Sequence, residues 1–173
     1  MRAKLTITAL GLLSSPAMAQ NMDVGVELPQ LSVAEYHRPY VAVWISHPDH
    51  RVAANLSVWY QLDEGPEGKG ETWLKDIRQW WRRTGRSLDM PVDGVSSATR
   101  PPGQYTLSFS SDDERLRDLE SGDYILHVEA SREVGGREMI SIPFSWSDDA
   151  NAEFSESGES ELGEVKLILS PDA

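Results

Sequence analysis

Along most of this chain apolar and polar residues alternate in short runs, the period of a pleated strand with one face buried. Seven runs read as strands: Asp23 to Leu28, Tyr40 to Ser46, Ala54 to Gln61, Gln104 to Ser110, Gly122 to Arg132, Arg137 to Trp146 and Glu164 to Leu169. In YVAVWIS, Tyr40, Ala42, Trp44 and Ser46 share one face and Val41, Val43 and Ile45 the other. In QYTLSFS, Tyr105, Leu107 and Phe109 face one way, Thr106 and Ser108 the other. Such β-branched and aromatic residues suit a half-buried pleated surface. Gly135-Gly136 lies between the fifth and sixth runs, where a tight reversal calls for positive φ, so Tyr124 to Trp146 reads as a hairpin. Pro143 then belongs on a sheet edge or at a bulge.

One segment changes period. In Glu71 to Thr84, Trp73, Ile77, Trp80, Trp81 and Thr84 recur at spacings of three and four, opposite Lys75, Arg78, Gln79, Arg82 and Arg83, and Gly85 ends the stripe. That is the pattern of an amphipathic helix. The expected fold is therefore mainly β, a single antiparallel sandwich of immunoglobulin- or fibronectin-like type with one inserted amphipathic helix. Arg86 to Gly103 has neither period and is longer than a connection requires. Asp148 to Glu164 sets seven carboxylates among Ser, Gly and Asn, a composition that predicts a solvated, mobile loop; it lacks the alternating ligands and turn glycine of an EF-hand.

The first residues change the picture of where the domain starts. Arg2 and Lys4, an apolar run from Leu5 to Leu13, and Ala17-Met18-Ala19 form the three parts of an export signal, with cleavage expected after Ala19. The run is too short to span a bilayer, which takes about 20 residues. A buried N-terminal strand or helix is the competing reading. One domain is expected over residues 20–173. Without Arg2 and Lys4 the 16 basic residues become 14 against 28 acidic ones, a formal charge of −14, which disfavours nucleic acid and anionic lipid as partners. The chain has no cysteine, so disulfides, thiolate nucleophiles, haem anchors and iron-sulfur ligands are excluded.

Candidate chemistry lies in the aperiodic loop, at Asp93-Gly94-Val95-Ser96-Ser97-Ala98-Thr99 followed by Arg100-Pro101-Pro102-Gly103. The run resembles the covalent flavin attachment motif Asp-x-x-Ser/Thr-Gly-Ala-Thr of subunits of the sodium-pumping quinone reductase and other exported flavoproteins. The resemblance implies that a periplasmic FAD:protein FMN transferase would move FMN onto Thr99 as a phosphoester. Asp93 would then be the acidic recognition element, Ser96 the hydroxyl position, and Ser97 and Ala98 the small residues before the acceptor. Ser97 replaces the usual glycine. Through YVAVWI, SVWYQ, KDIRQWWR, SSATRPPGQYTLSF and GDYILHVEASREVGGRE the chain also resembles the predicted periplasmic proteins grouped as domain of unknown function 2271, whose members often stand beside membrane redox proteins and the FMN transferase. Arg100, Arg82 and Arg83 are the cations placed near the phosphate or the reduced flavin, and Trp80 or Trp81 the ring on which it would stack. The alternative for the whole loop is a Ser/Thr-rich turn leading into a strand.

His47-Pro48-Asp49-His50, with His37 nearby, offers imidazole and carboxylate to zinc or copper, but Pro48 marks a turn and no second cluster completes four ligands. His127, in mid-strand, reads as packed or hydrogen-bonded. No nucleophile elbow and no phosphate-cradling glycine loop occurs. The sequence thus leads to a periplasmic electron-transfer domain with FMN on Thr99, a carrier more than a stand-alone enzyme, partnering a membrane redox protein. The alternatives are a cofactor-free binding module docking on such a protein, and a metal-binding accessory protein.

Overall fold

The computed structural model describes residues 20–66 and 68–171; the expected export segment, residues 1–19, lies outside them. The chain is mainly β, with antiparallel sheets. A four-stranded sheet has the order β10 (Ala152–Ser157), β11 (Glu164–Pro171), β1 (Gln20–Leu28), β7 (Gly103–Ser110). A five-stranded sheet has the order β6 (Ser96–Ser97), β3 (Val52–Trp59), β2 (Tyr40–Ser46), β8 (Gly122–Ser131), β9 (Arg137–Trp146), with only β6 parallel to its neighbour. A small ribbon pairs β4 (Glu64–Gly65) with β5 (Gly68–Lys69).

Alternation in the sequence becomes alternation in burial. Along β1 every second residue from Met22 to Leu28 is buried, and the strand pairs on both sides, with β11 and β7. One core takes Met22, Val24 and Leu167 from the first sheet and Val43, Leu126 and Ile142 from the second, so the two sheets share a single apolar interior. Tyr105, Leu107 and Phe109 join it as their pattern predicts. The hairpin β8–β9 is present, and Pro143 sits on the edge strand β9, where no ladder hydrogen bond is lost outward. Positive φ falls at Val134 (φ 52), however, and not at Gly135 or Gly136.

The outer face of the second sheet carries its own apolar cluster. Ala42, Trp44, Val58 and Tyr60 are covered by Leu74, Ile77, Trp80 and Val95, with Leu88, Met90 and Val92 packed against them. This explains why both faces of YVAVWIS are apolar, and it supplies the reason for the long loop: residues 88–95 cover the sheet. The expected continuous helix is broken into a 3₁₀ turn, Gly70–Asp76, and α1, Arg78–Arg83. A 3₁₀ turn advances three residues per turn, not 3.6. Leu74 therefore takes the buried position and Trp73 is left 42% exposed.

The helix is held by one carboxylate. Glu129 of β8, fully buried, accepts hydrogen bonds from the amides of Gln79 (3.0 Å) and Trp80 (2.9 Å) and from Arg137 Nη1 (3.0 Å). Its three donors serve a group that burial would otherwise penalise heavily. Gly85 closes the other end, where a Cβ would collide with the Trp80 ring.

The acidic stretch is not the solvated loop its composition predicts. Ala152–Ser157 is the edge strand β10, Glu138 accepts from four successive amides, Glu159 to Leu162, and Glu161 is buried against Arg132. The partners that satisfy this segment are distant in sequence, which composition cannot register.

His127 is packed, as expected. It lies against Trp44 with ring centroids 4.9 Å apart and bonds to the hydroxyls of Ser46 (2.9 Å) and Ser141 (2.8 Å). Burial, with repulsion from His50 and Arg83, pushes its pKa down to about 4.

Glu129→Ala should lower stability by about 3 kcal/mol, because it strands Arg137 and two helix amides; urea denaturation measures the loss, and amide exchange should show it concentrated at Gln79 and Trp80. His127 is neutral in the fold but takes a proton in the unfolded chain below about pH 6.5, so its stabilisation is complete above that pH and is lost as pH falls toward 4. The fall in Tm between pH 7 and pH 4 should accordingly be shallower in His127→Gln than in the parent chain.

Candidate functional site

The loop that carries Thr99 is fastened on each side of it. Asp93-Gly94 makes a turn in which Gly94 has φ 69 and its amide bonds to Asp93 Oδ1 at 3.0 Å. Arg115, paired with Asp113, donates to the carbonyls of Gly94 (2.7 Å) and Leu56 (3.2 Å) and so ties this turn to β3. Ser96 Oγ accepts from the Val92 amide at 2.9 Å. Ser96 and Ser97 then pair with Val58 and Trp59, and the Ser97 carbonyl accepts from the Tyr60 amide at 2.9 Å. Ser97 holds an extended position with no positive φ, so the glycine of the resembled motif is not required here on backbone grounds.

Beyond that two-residue strand the chain leaves the sheet. Ala98 is exposed and Thr99 half-buried, outside every strand. Arg100 then stacks on the Trp59 ring at 4.1 Å and on Tyr105 at 4.9 Å, while Tyr105 Oη donates to the Pro101 carbonyl at 2.6 Å.

Thr99 lines a cleft of about 770 Å³. Its walls come from the strap before β2 (Tyr36, His37, Arg38), the 3₁₀ turn and helix start (Trp73, Asp76, Arg78), and the tip of the β8–β9 hairpin (Arg132 to Arg137). This is within the size range that small-molecule sites occupy, about 300–1,000 Å³. In a chain with 16 basic residues against 28 acidic ones, four arginines gather on one cleft. Arg137 is paired with Glu129, and His37 lies between Glu35 and Glu133. Arg38 and Arg78 have no carboxylate within ion-pair distance among the described residues. The Tyr36 and Tyr40 phenols are pushed above their ordinary pKa, in both cases mainly by burial, and so remain protonated donors; Tyr40 Oη donates to the Gly70 carbonyl at 3.2 Å.

Arg132 sets the floor. Its guanidinium forms two bonds to Glu161, Nε to Oε2 at 2.9 Å and Nη2 to Oε1 at 3.1 Å, with the two side chains 6% and 4% exposed. The Tyr36 ring lies 5.8 Å from it. Arg132 Nη1 is buried with no hydrogen-bond partner among the described residues. Gly135 and Gly136 are explained by this pair and not by φ. A Cβ on Gly135 would stand 2.6 Å from Arg132 Nη2, and one on Gly136 would stand 2.9 Å from Glu161 Oε1.

Of the residues singled out by the motif, Asp93, Ser96, Ser97, Ala98 and Arg100 share the loop with Thr99, but Thr99 alone reaches the cleft wall. Arg100 is engaged by aromatic rings. Arg82 bonds to Gln79 and borders a second groove, and Arg83 lines neither. Trp80 is wholly buried, its Nε1 bonded to Asn55 Oδ1 at 2.9 Å, so it is no stacking platform, and Trp81 borders the second groove. The tryptophan at the cleft is Trp73. Sequence reading assigned Trp73 to the buried stripe and missed Arg38, Arg78 and Arg132 as a group; the only local signal was the glycine pair next to an arginine. The His47–His50 turn is separate from the cleft, and Asp49 is bonded to Arg51 at 2.7 Å. Among the described residues no group of three or more His, Cys, Asp or Glu side chains is placed to hold a metal ion, and no helix is long and apolar enough to cross a membrane.

The chain belongs to the family described as "Predicted periplasmic protein (DUF2271)", whose model matches residues 21–164. That match takes in every wall of the cleft. Neither a curated protein nor a solved structure matches the chain.

Two neighbouring substitutions should move stability in opposite directions. Gly135→Ala drives a methyl group into the Arg132 guanidinium and should lower the unfolding free energy by about 1–3 kcal/mol. Val134→Asn places a residue tolerant of left-handed backbone at φ 52, where the valine is 77% exposed and loses little packing, and should raise it by about 1 kcal/mol. Thermal melts of the two variants check both signs.

Proposed function

We propose, taking membership of this periplasmic family as the premise, that the chain is an exported electron-transfer domain bearing FMN on the hydroxyl of Thr99 and serving a membrane redox protein. The observation that carries the reading is the position of Thr99, outside the strands and on the wall of an arginine-rich cleft. Attachment would join Thr99 Oγ1 to the phosphorus of the FMN half of FAD, break the bond to the AMP half and release the hydroxyl proton, with the transferase as catalyst. Access to Thr99 is helped by the exposure of its neighbour Ala98. A bound flavin supplies one- and two-electron redox chemistry that no side chain here provides. The residues present fit such a group: among the described residues Arg132 keeps an unused donor, Arg38 and Arg78 add positive charge for a phosphate or a reduced ring, and Trp73 is a partly exposed aromatic with Lys75 Nζ 5.3 Å from its ring. A covalent tether would prevent loss of the cofactor outside the cytoplasmic membrane. Export would remove residues 1–19 and leave Gln20 at the start of β1.

An immunoglobulin- or fibronectin-like frame belongs to the same proposal. Its support is strand order. β9-β8-β2-β3 and β11-β1-β7 run as the G-F-C-C′ and A-B-E strands of such a sandwich do, with the last strand of the chain standing where the first would.

A second reading, a cofactor-free module that docks on its redox partner, is favoured by a specific feature. Lys75, Arg78, Arg82 and Arg137 border a groove of about 560 Å³ beside the half-buried Trp81, a basic strip suited to an acidic partner surface.

Co-expression with the FMN transferase followed by intact-mass measurement tests the first reading. The expected gain is the mass of FMN less water, abolished by Thr99→Ala. No gain under conditions that label a known acceptor would remove the tether and leave the docking module.

A further inference from the structure

A buried guanidinium nitrogen without a partner is uncommon, because the desolvated donor carries a cost that proteins usually relieve with a hydrogen bond. Arg132 has one. Two of its nitrogens are taken by Glu161, yet among the described residues Nη1, buried on a residue that lines the cleft, has no partner. The arrangement around it is built. Gly135 and Gly136 leave the space that the pair fills, the Gly136 amide donates to Glu161 Oε1 at 2.8 Å, and Val134 accepts a left-handed backbone beside them. Glu161 already neutralises one positive charge, so the spare donor signals a second acceptor and not a missing counter-ion. Among the described residues Arg38 and Arg78 stand on the same cleft with no ion pair, and Trp73, with Lys75 Nζ 5.3 Å from its ring, is partly exposed there.

From this geometry we propose that the cleft is a seat for an aryl phosphate, in which a small shift of Arg132 lets Nη1 donate to a phosphoryl oxygen, Arg38 and Arg78 balance its charge, and Trp73 packs against the aromatic part. The seat exists before any covalent modification. The choice of a flavin phosphate as its occupant rests on the reading of Thr99 as the tether; the phosphoryl site itself does not. The negative charge of the domain as a whole disfavours anions in general, so selection falls to the local cluster of arginines at this opening.

The test uses the unmodified chain and Thr99→Ala, produced without the transferase, titrated with free FMN and with riboflavin, which has the same ring and no phosphate. Binding is followed by tryptophan fluorescence and calorimetry, with orthophosphate as competitor. FMN should bind at least about tenfold more tightly than riboflavin, the ratio expected for one charge-assisted hydrogen bond, and orthophosphate should displace it. Arg132→Lys, which keeps a charge against Glu161 but removes Nη1, should collapse the FMN-to-riboflavin ratio toward one. Arg78→Ala, on the exposed surface, should reduce it partially and guards against a folding artefact in the first variant. Equal binding of the two ligands, no binding of either, or a ratio unchanged by Arg132→Lys overturns the seat. The outcome is separable from the tether: a mass gain on Thr99 with a ratio of one sinks the seat alone, and phosphate-selective binding without any mass gain sinks the tether alone.

Discussion

A carboxylate with no solvent exposure is tolerated only when donors surround it, and the cleft side of this domain is organised around that constraint at Glu129. The residue sits on β8, the strand between β2 and β9. It collects two amides from the start of α1 and the guanidinium of Arg137 from β9. The helix start carries Arg78, and the 3₁₀ turn before it carries Trp73. Fixing that start to the sheet therefore fixes one wall of the cleft relative to the hairpin that makes another. A buried pair, Arg132–Glu161, does the corresponding work at the floor, joining the end of β8 to the turn before β11 in the other sheet. The two anchors lie three residues apart on one segment.

The β pattern was legible because each strand buries one face, and alternation records that directly. β2 and β9 begin and end where their runs do, and β1 extends to Gln20, beside the expected cleavage point. Legibility failed where the cause was remote. No local pattern says that residues 88–95 cover Trp44 and Val58, that Glu138 gathers the amides of the acidic turn, or that Trp73 and Leu74 exchange places when the helix opens as a 3₁₀ turn. The glycine pair was read as a φ requirement. Its reason is volume, set by a glutamate 25 residues away from Gly136.

The candidate site divides in the same manner. Thr99 came from a local motif, and the structure sets it on the rim of a concave surface. The arginines expected beside it, Arg100, Arg82 and Arg83, are engaged elsewhere or face other surfaces. The cations on the cleft, Arg38, Arg78 and Arg132, come from three segments with no shared pattern. A local motif in a β domain names the loop; the company that loop keeps is decided by the order of the strands.

Thr99 stands between two fixed points, one two residues before it and one immediately after it: the extended pairing of Ser97 with Trp59 and the Arg100 guanidinium lodged on two rings. Anything held by its hydroxyl is on a short leash. It could not sweep between distant stations as a long flexible arm does. A donor and an acceptor would instead have to visit the same opening in turn, so traffic through this domain would be ordered by which protein occupies that side of it.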